Sequence, residues 1–155
     1  MRCVTLLLLA LFIASNPVAR GALEAPPPSV DPAQPHRSSD EVKKALSAVI
    51  EGQLAAFRAE DYAKAYTFAA AEIQGMFSKE RFEEMVKTGY PVIAHSTTAE
   101  LGLAIDSGDE AVVSVKVTNG EKKSVTYQYH LIKEKGAWRI GGVSEVQASS
   151  GAITV

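Results

Sequence analysis

The apolar pattern of this chain changes period once, at Pro91. Before it, bulky apolar residues recur at steps of three and four. After it, they alternate or cluster as β-branched and aromatic residues. Steps of three and four line up one face of a helix, and steps of two line up one face of a strand. A chain that is helical first and stranded afterwards does not build βαβ units. The expected class is therefore α+β, with about three N-terminal helices on a curved antiparallel sheet of four to five strands.

The helical half carries its own boundary marks. Ser38 and Glu41 have capping-box spacing, and Asp40 and Glu41 suit the positive end of a helix. From there Val42, Leu46, Val49, Ile50, Leu54 and Phe57 form one stripe that ends around Ala59. Asp61 is placed to cap a second, shorter helix, and Ser78 a third over "KERFEEMVK"; "AEIQGMF" between them reads as a connection. Gly89 is expected as a left-handed helix end, with Pro91 barring continuation. Tyr90, between them, is expected to be structural.

The second half predicts strands over 99–105, 111–117, 124–132 and 138–146, with a further short strand at Val92–Ala94. "DSGDE", "TNGEKK" and "KEKGA" separate the four, and Asn119-Gly120 is the favoured hairpin pair. Gly141-Gly142 inside a strand marks a bulge or a close approach.

Residues 1–21 read as an export signal. Arg2 precedes an apolar run from Val4 to Ala14, too short to span a bilayer, and Ala19 and Gly21 are small residues at a cleavage site. Cleavage would leave 14 basic and 18 acidic residues, a formal charge of −4, with no nucleic-acid footprint. It would also remove Cys3, the only cysteine, and with it disulfides, thiol nucleophiles and cysteine metal sites. Residues 22–37 hold five of the seven prolines and read as a disordered linker. The domain is expected over 38–148, followed by a tail at 149–155. The expected location is periplasmic or secreted, with no stable membrane span after cleavage.

Three stretches carry a family resemblance. "VIEGQLAAFRAEDYAKAYTFAA", "FEEMVKTGYPVI" and "KGAWRIGGV" resemble the first two helices, the third helix and the last hairpin of the nuclear transport factor 2-like superfamily. That superfamily is also called ketosteroid-isomerase-like, or the cystatin-like cone. More narrowly, "GQLAAFRAEDYAKAYTFAAAEIQGMF" with "MVKTGYP" resembles the bacterial family known as domain of unknown function 4864. The resemblance covers roughly residues 40–146 and implies a cone with a pocket at its open end and dimer formation through the sheet. It implies no activity, because members of such a fold differ in chemistry.

A site of the isomerase kind needs a carboxylate or histidine base and a hydrogen-bond donor such as tyrosine. The pocket candidates are Tyr66, Glu72, Tyr90, His95, Tyr127 and Tyr129. Tyr127 and Tyr129 share a strand face with Val125 and Leu131, while Thr126, Gln128, His130 and Ile132 share the other. The tyrosines line a pocket only if their face meets the helices. Glu72 reads most simply as a solvated turn residue and His95 as an edge residue. Arg139 is expected on the solvated sheet face, paired to a glutamate. The histidines lack ligand spacing, so no metal or other cofactor is expected. The favoured function is non-enzymatic binding of a small apolar ligand or of a protein, as a homodimer. The alternative is an isomerase or lyase with a tyrosine-lined pocket and one carboxylate or histidine base.

Overall fold

The computed structural model describes residues 34–146. The expected export signal, residues 22–33 of the linker and the tail at 149–155 lie outside the described residues. The end of the expected linker is ordered instead. His36–Arg37 form a short strand, β1, pairing with residues 105–106. Ser38, the expected cap, is buried, and its N–H donates to Ala104 O at 3.0 Å. The cap is therefore Ser39, whose hydroxyl accepts from Val42 N at 3.3 Å. A side chain already enclosed by the sheet edge cannot serve the helix.

Helix α1 runs Asp40–Arg58 and buries Leu46, Ile50, Gln53, Leu54, Ala56 and Phe57. Asp61 caps α2 (Tyr62–Thr67) by accepting from Lys64 N at 2.9 Å. The chain then runs along β5 (Ala137–Glu145): Ile140 N donates to Phe68 O at 2.9 Å, and Ala70 N to Ile140 O at 2.8 Å. This covers part of an otherwise open sheet edge. Phe68 also lies over α1 at Gly52, where a Cβ would meet its ring at 2.7 Å. Glycine is tolerated there because the ring needs the space.

Two elements correct the sequence reading. "AEIQGM" is a helix, α3 (Ala71–Met76), and not a plain connection. Its N-terminus has no local side-chain cap; Ala71 N donates instead to Glu134 Oε1, 2.9 Å away and 63 residues along the chain. The segment after Tyr90 is also helical. Ser78 caps α4 (Lys79–Gly89), as its position predicts. Gly89 is its last residue and has no positive φ. Tyr90 ends α4 at φ −131° and opens α5 (Pro91–Ala94), with Pro91 in the first turn. Proline stops a helix from within but suits its first turn, where no N–H is required. Hence no strand forms at Val92–Ala94.

Strands β2 (Ser96–Asp106), β3 (Glu110–Asn119), β4 (Ser124–Glu134) and β5 complete an open antiparallel sheet of order β1-β2-β3-β4-β5. Irregular register within β2, and between His130 and Leu131 opposite Gly142 and Ile140, introduces bulges that bend the sheet. Gly141 is the extra residue of the second bulge. The tight two-residue turn is Lys135-Gly136, with φ of 50° and 82°. Both values are positive, as the favoured hairpin twist requires. Asn119-Gly120 instead opens a four-residue loop in which Lys122 takes φ 62°, and Asn119 Oδ1 accepts from Lys123 N at 2.9 Å. Of the two faces of β4, Tyr127, Tyr129 and Leu131 are buried with the helices, while Gln128 and His130 are exposed. All helices thus lie on one sheet face.

Candidate functional site

The helical layer and the sheet do not meet evenly. Leu46, Ile50 and Leu54 of α1 and Val113, Val115 and Val117 of β3 are fully buried in one apolar cluster. Farther along α1 the layers part around a cavity of about 190 Å3. Gln53 and Phe57 of α1, Phe82, Met85 and Val86 of α4, and Tyr129, Ile140 and Val143 of the sheet contribute to its wall. Phe57 and Phe82 stack at 6.2 Å, and Tyr66 meets Phe82 edge-on at 5.4 Å. These contacts hold the aromatic wall in place. Among the lining residues Ile73, Met85, Tyr90 and Val143 are half-buried, whereas Phe57, Phe82, Ile93 and Ile140 are buried. The mouth therefore lies between α3–α4 and β5.

Polar groups in this wall are few. Tyr129 is 0% exposed, and its hydroxyl is buried with no hydrogen-bond partner among the described residues. Burial pushes its phenol far above the ordinary tyrosine range; Tyr127 adds to the rise and Arg58 opposes it. It stays a neutral donor at any physiological pH. Gln53 donates through Nε2 to Ala65 O at 3.4 Å, which occupies one arm of its amide. Tyr90 sits at the mouth, and its hydroxyl donates to Val143 O at 2.9 Å, tying the α4–α5 junction to β5. Among the described residues no acid, base or cation lines the cavity.

The six candidate residues are thus divided. Tyr90 and Tyr129 share the cavity. Tyr127 is buried beside Tyr90, with ring centroids 6.3 Å apart, but outside the cavity wall. Burial, then Glu145 and Tyr90, raise its phenol. Tyr66 is half-buried on a second groove, its hydroxyl 2.6 Å from Phe77 O and 2.8 Å from Gln74 O. Glu72 is exposed in the first turn of α3, and His95 is exposed at the end of α5. Neither lies on the cavity. Among the described residues Arg139 pairs with no glutamate; its guanidinium donates to Thr67 O at 2.9 Å, where α2 ends.

Gln53 is the lining residue with a polar side chain that the candidates lack. The sequence holds a sign of it: a polar residue three after Ile50 and four before Phe57, on the buried stripe. Among the described residues no three His, Cys, Asp or Glu side chains gather, and no helix is long and apolar enough to cross a membrane.

This is an α+β domain with an apolar cavity between its layers. The chain belongs to the family described as a domain of unknown function, DUF4864, whose model matches residues 39–153. No curated protein matches it. Among solved structures it is similar to Aln2 from a Streptomyces species, at 10% identity and a TM-score of 0.44, over 72% of this chain and 94% of that one. That likeness is too distant to transfer residue roles.

Proposed function

We propose that this chain is an exported, non-enzymatic domain that binds a small apolar molecule in the cavity between α4 and β5. The cavity itself carries the reading: about 190 Å3 lined mostly by apolar and aromatic side chains, with a mouth of half-buried ones. Ligand sites are typically concave and mostly apolar, with a few placed polar groups. The isomerase or lyase alternative has less support, because its candidate bases, Glu72 and His95, are exposed and off the cavity. Export rests on the sequence of residues 1–21. Pairing of two copies through the outer sheet face is the companion proposal, supported by exposed Leu103 and Ile105 on β2.

Native mass spectrometry of protein purified from its own host tests the reading. A small organic adduct is expected on the wild type and should vanish in Val86→Trp, which fills the cavity. An adduct retained equally by that variant would place the ligand elsewhere.

A further inference from the structure

We infer that the second groove, between α2–α3 and the β4–β5 hairpin, is an anion site that takes a small organic molecule carrying two negative charges, as a phosphate ester or a dicarboxylate. The site is independent of the ligand-binding reading above. Among the described residues only Ala69 lines both the cavity and the groove.

Charge is unevenly placed. The whole chain has a formal charge of −2, yet Lys79, Lys135 and Arg139 line this groove against one acid, Glu134. Three cations against one carboxylate leave an excess of two positive charges. Among the described residues none of the three has a carboxylate within ion-pair distance, whereas Arg81, Lys87 and Lys116 each have one. Glu134 is engaged elsewhere, its Oε1 accepting from Ala71 N at 2.9 Å.

Local structure does not call for these cations. Lys79 is the first residue of α4, where the positive end of the helix disfavours a cation. Lys135 holds φ 50° in a tight turn that favours Asn, Asp or Gly. Breaks of a local rule are expected where a residue serves a site. Arg139 does have a local role, since one of its N–H groups donates to Thr67 O at 2.9 Å. That bond uses one of five donors, and the half-buried guanidinium keeps the others without a partner among the described residues.

Shape and chemistry set the ligand. The groove offers about 800 Å3, within the range of small-molecule sites. Ala69, Ala71 and Ala137 add only methyl groups to its wall, which leaves it open. A bare inorganic ion would fill little of that volume, so the charge belongs to an organic molecule. A guanidinium fork matches the paired oxygens of a carboxylate or phosphate, and ammonium groups add point charges. Lys79 belongs to the helical wall and Lys135 to the hairpin wall, so the ligand lies between them. A nucleic-acid strand needs an extended basic stripe, which three cations in one groove do not make.

Phenyl phosphate and phthalate are the probes, with benzyl alcohol as the uncharged comparison, titrated by calorimetry at low salt. The wild type is expected to bind at least one dianion about tenfold more tightly than benzyl alcohol, the worth of one charged hydrogen bond. Binding of phenyl phosphate alone would identify a phosphate ester, and of phthalate alone a dicarboxylate. Lys79→Gln/Lys135→Asn should weaken that dianion about tenfold and melt with the wild type, since asparagine tolerates a positive φ. Lys43→Gln/Lys44→Gln removes the same charge from the exposed face of α1 and should weaken it less than about twofold. Equal weakening by the two double variants would make the attraction a matter of net charge and overturn the inference. Benzyl alcohol binding as tightly as the dianions, or no binding of either dianion, would overturn it on the wild type alone. Each of these failures leaves the cavity reading untouched.

Discussion

One core holds two unlike halves. Under β3 the valines at 113, 115 and 117 and the leucines and isoleucine of α1 are fully buried. Under β5 the wall is made of larger, aromatic side chains, yet about 190 Å3 is left open. Residue size does not decide which half is filled. The cavity borders the β4–β5 bulge at Gly141 and side chains of α3, α4 and α5, whereas β3–β4 pairing is unbroken. The filled half supplies stability, and the hollow half forgoes some of it.

The largest effect is expected where the core is filled. Ile50→Ala should lower unfolding free energy by about 2–5 kcal/mol, read by chemical denaturation. A loss below about 1 kcal/mol would mean that this half is loosely packed as well. Alkaline pH strikes next, through Tyr129. Its folded-state pKa is raised, so its contribution is intact below the unfolded value near 10 and lost as pH climbs above it. Stability should fall by about 1.4 kcal/mol per pH unit there, beyond the slope of Tyr129→Phe, in denaturation curves taken across that range. The same slope in both proteins would put the phenol in contact with water.

Two smaller effects sharpen the contrast. Tyr90→Phe removes the bond to Val143 O at the mouth and should cost about 1 kcal/mol, with faster amide exchange at the α4–α5 junction. Val86→Leu adds a methylene to the hollow half and should change stability by less than about 1 kcal/mol, whereas Val115→Leu in the filled half should cost about 1–3 kcal/mol. Matching losses at both sites would erase the distinction between the halves.

Much of this fold can be read from local rules. Asp61 and Ser78 cap the helices their positions predict, the four long strands lie where the period changes, and Gly141 sits at a bulge. What local rules miss is set by distant partners. Helix α3 begins on the carboxylate of Glu134 from the far hairpin. Ser38 yields its capping role to Ser39 because β2 encloses it, and β1 forms only because β2 offers an edge. Pro91 reads as a stop when it also starts a helix. The site follows the same division. Alternation in β4 places Tyr127 and Tyr129 on one face, but only the tertiary fold decides which of them borders the cavity. Glu72 and His95 fit by residue type alone, and type does not set direction.

Methyl NMR during titration with acetophenone tests the two-halves account most directly. Shifts are expected at Ile73, Val86, Ile93, Ile140 and Val143, with Leu46, Val115 and Val117 unmoved. Shifts that fall equally on Leu46, Val115 and Val117, or that spare the methyls of the hollow half, would contradict it.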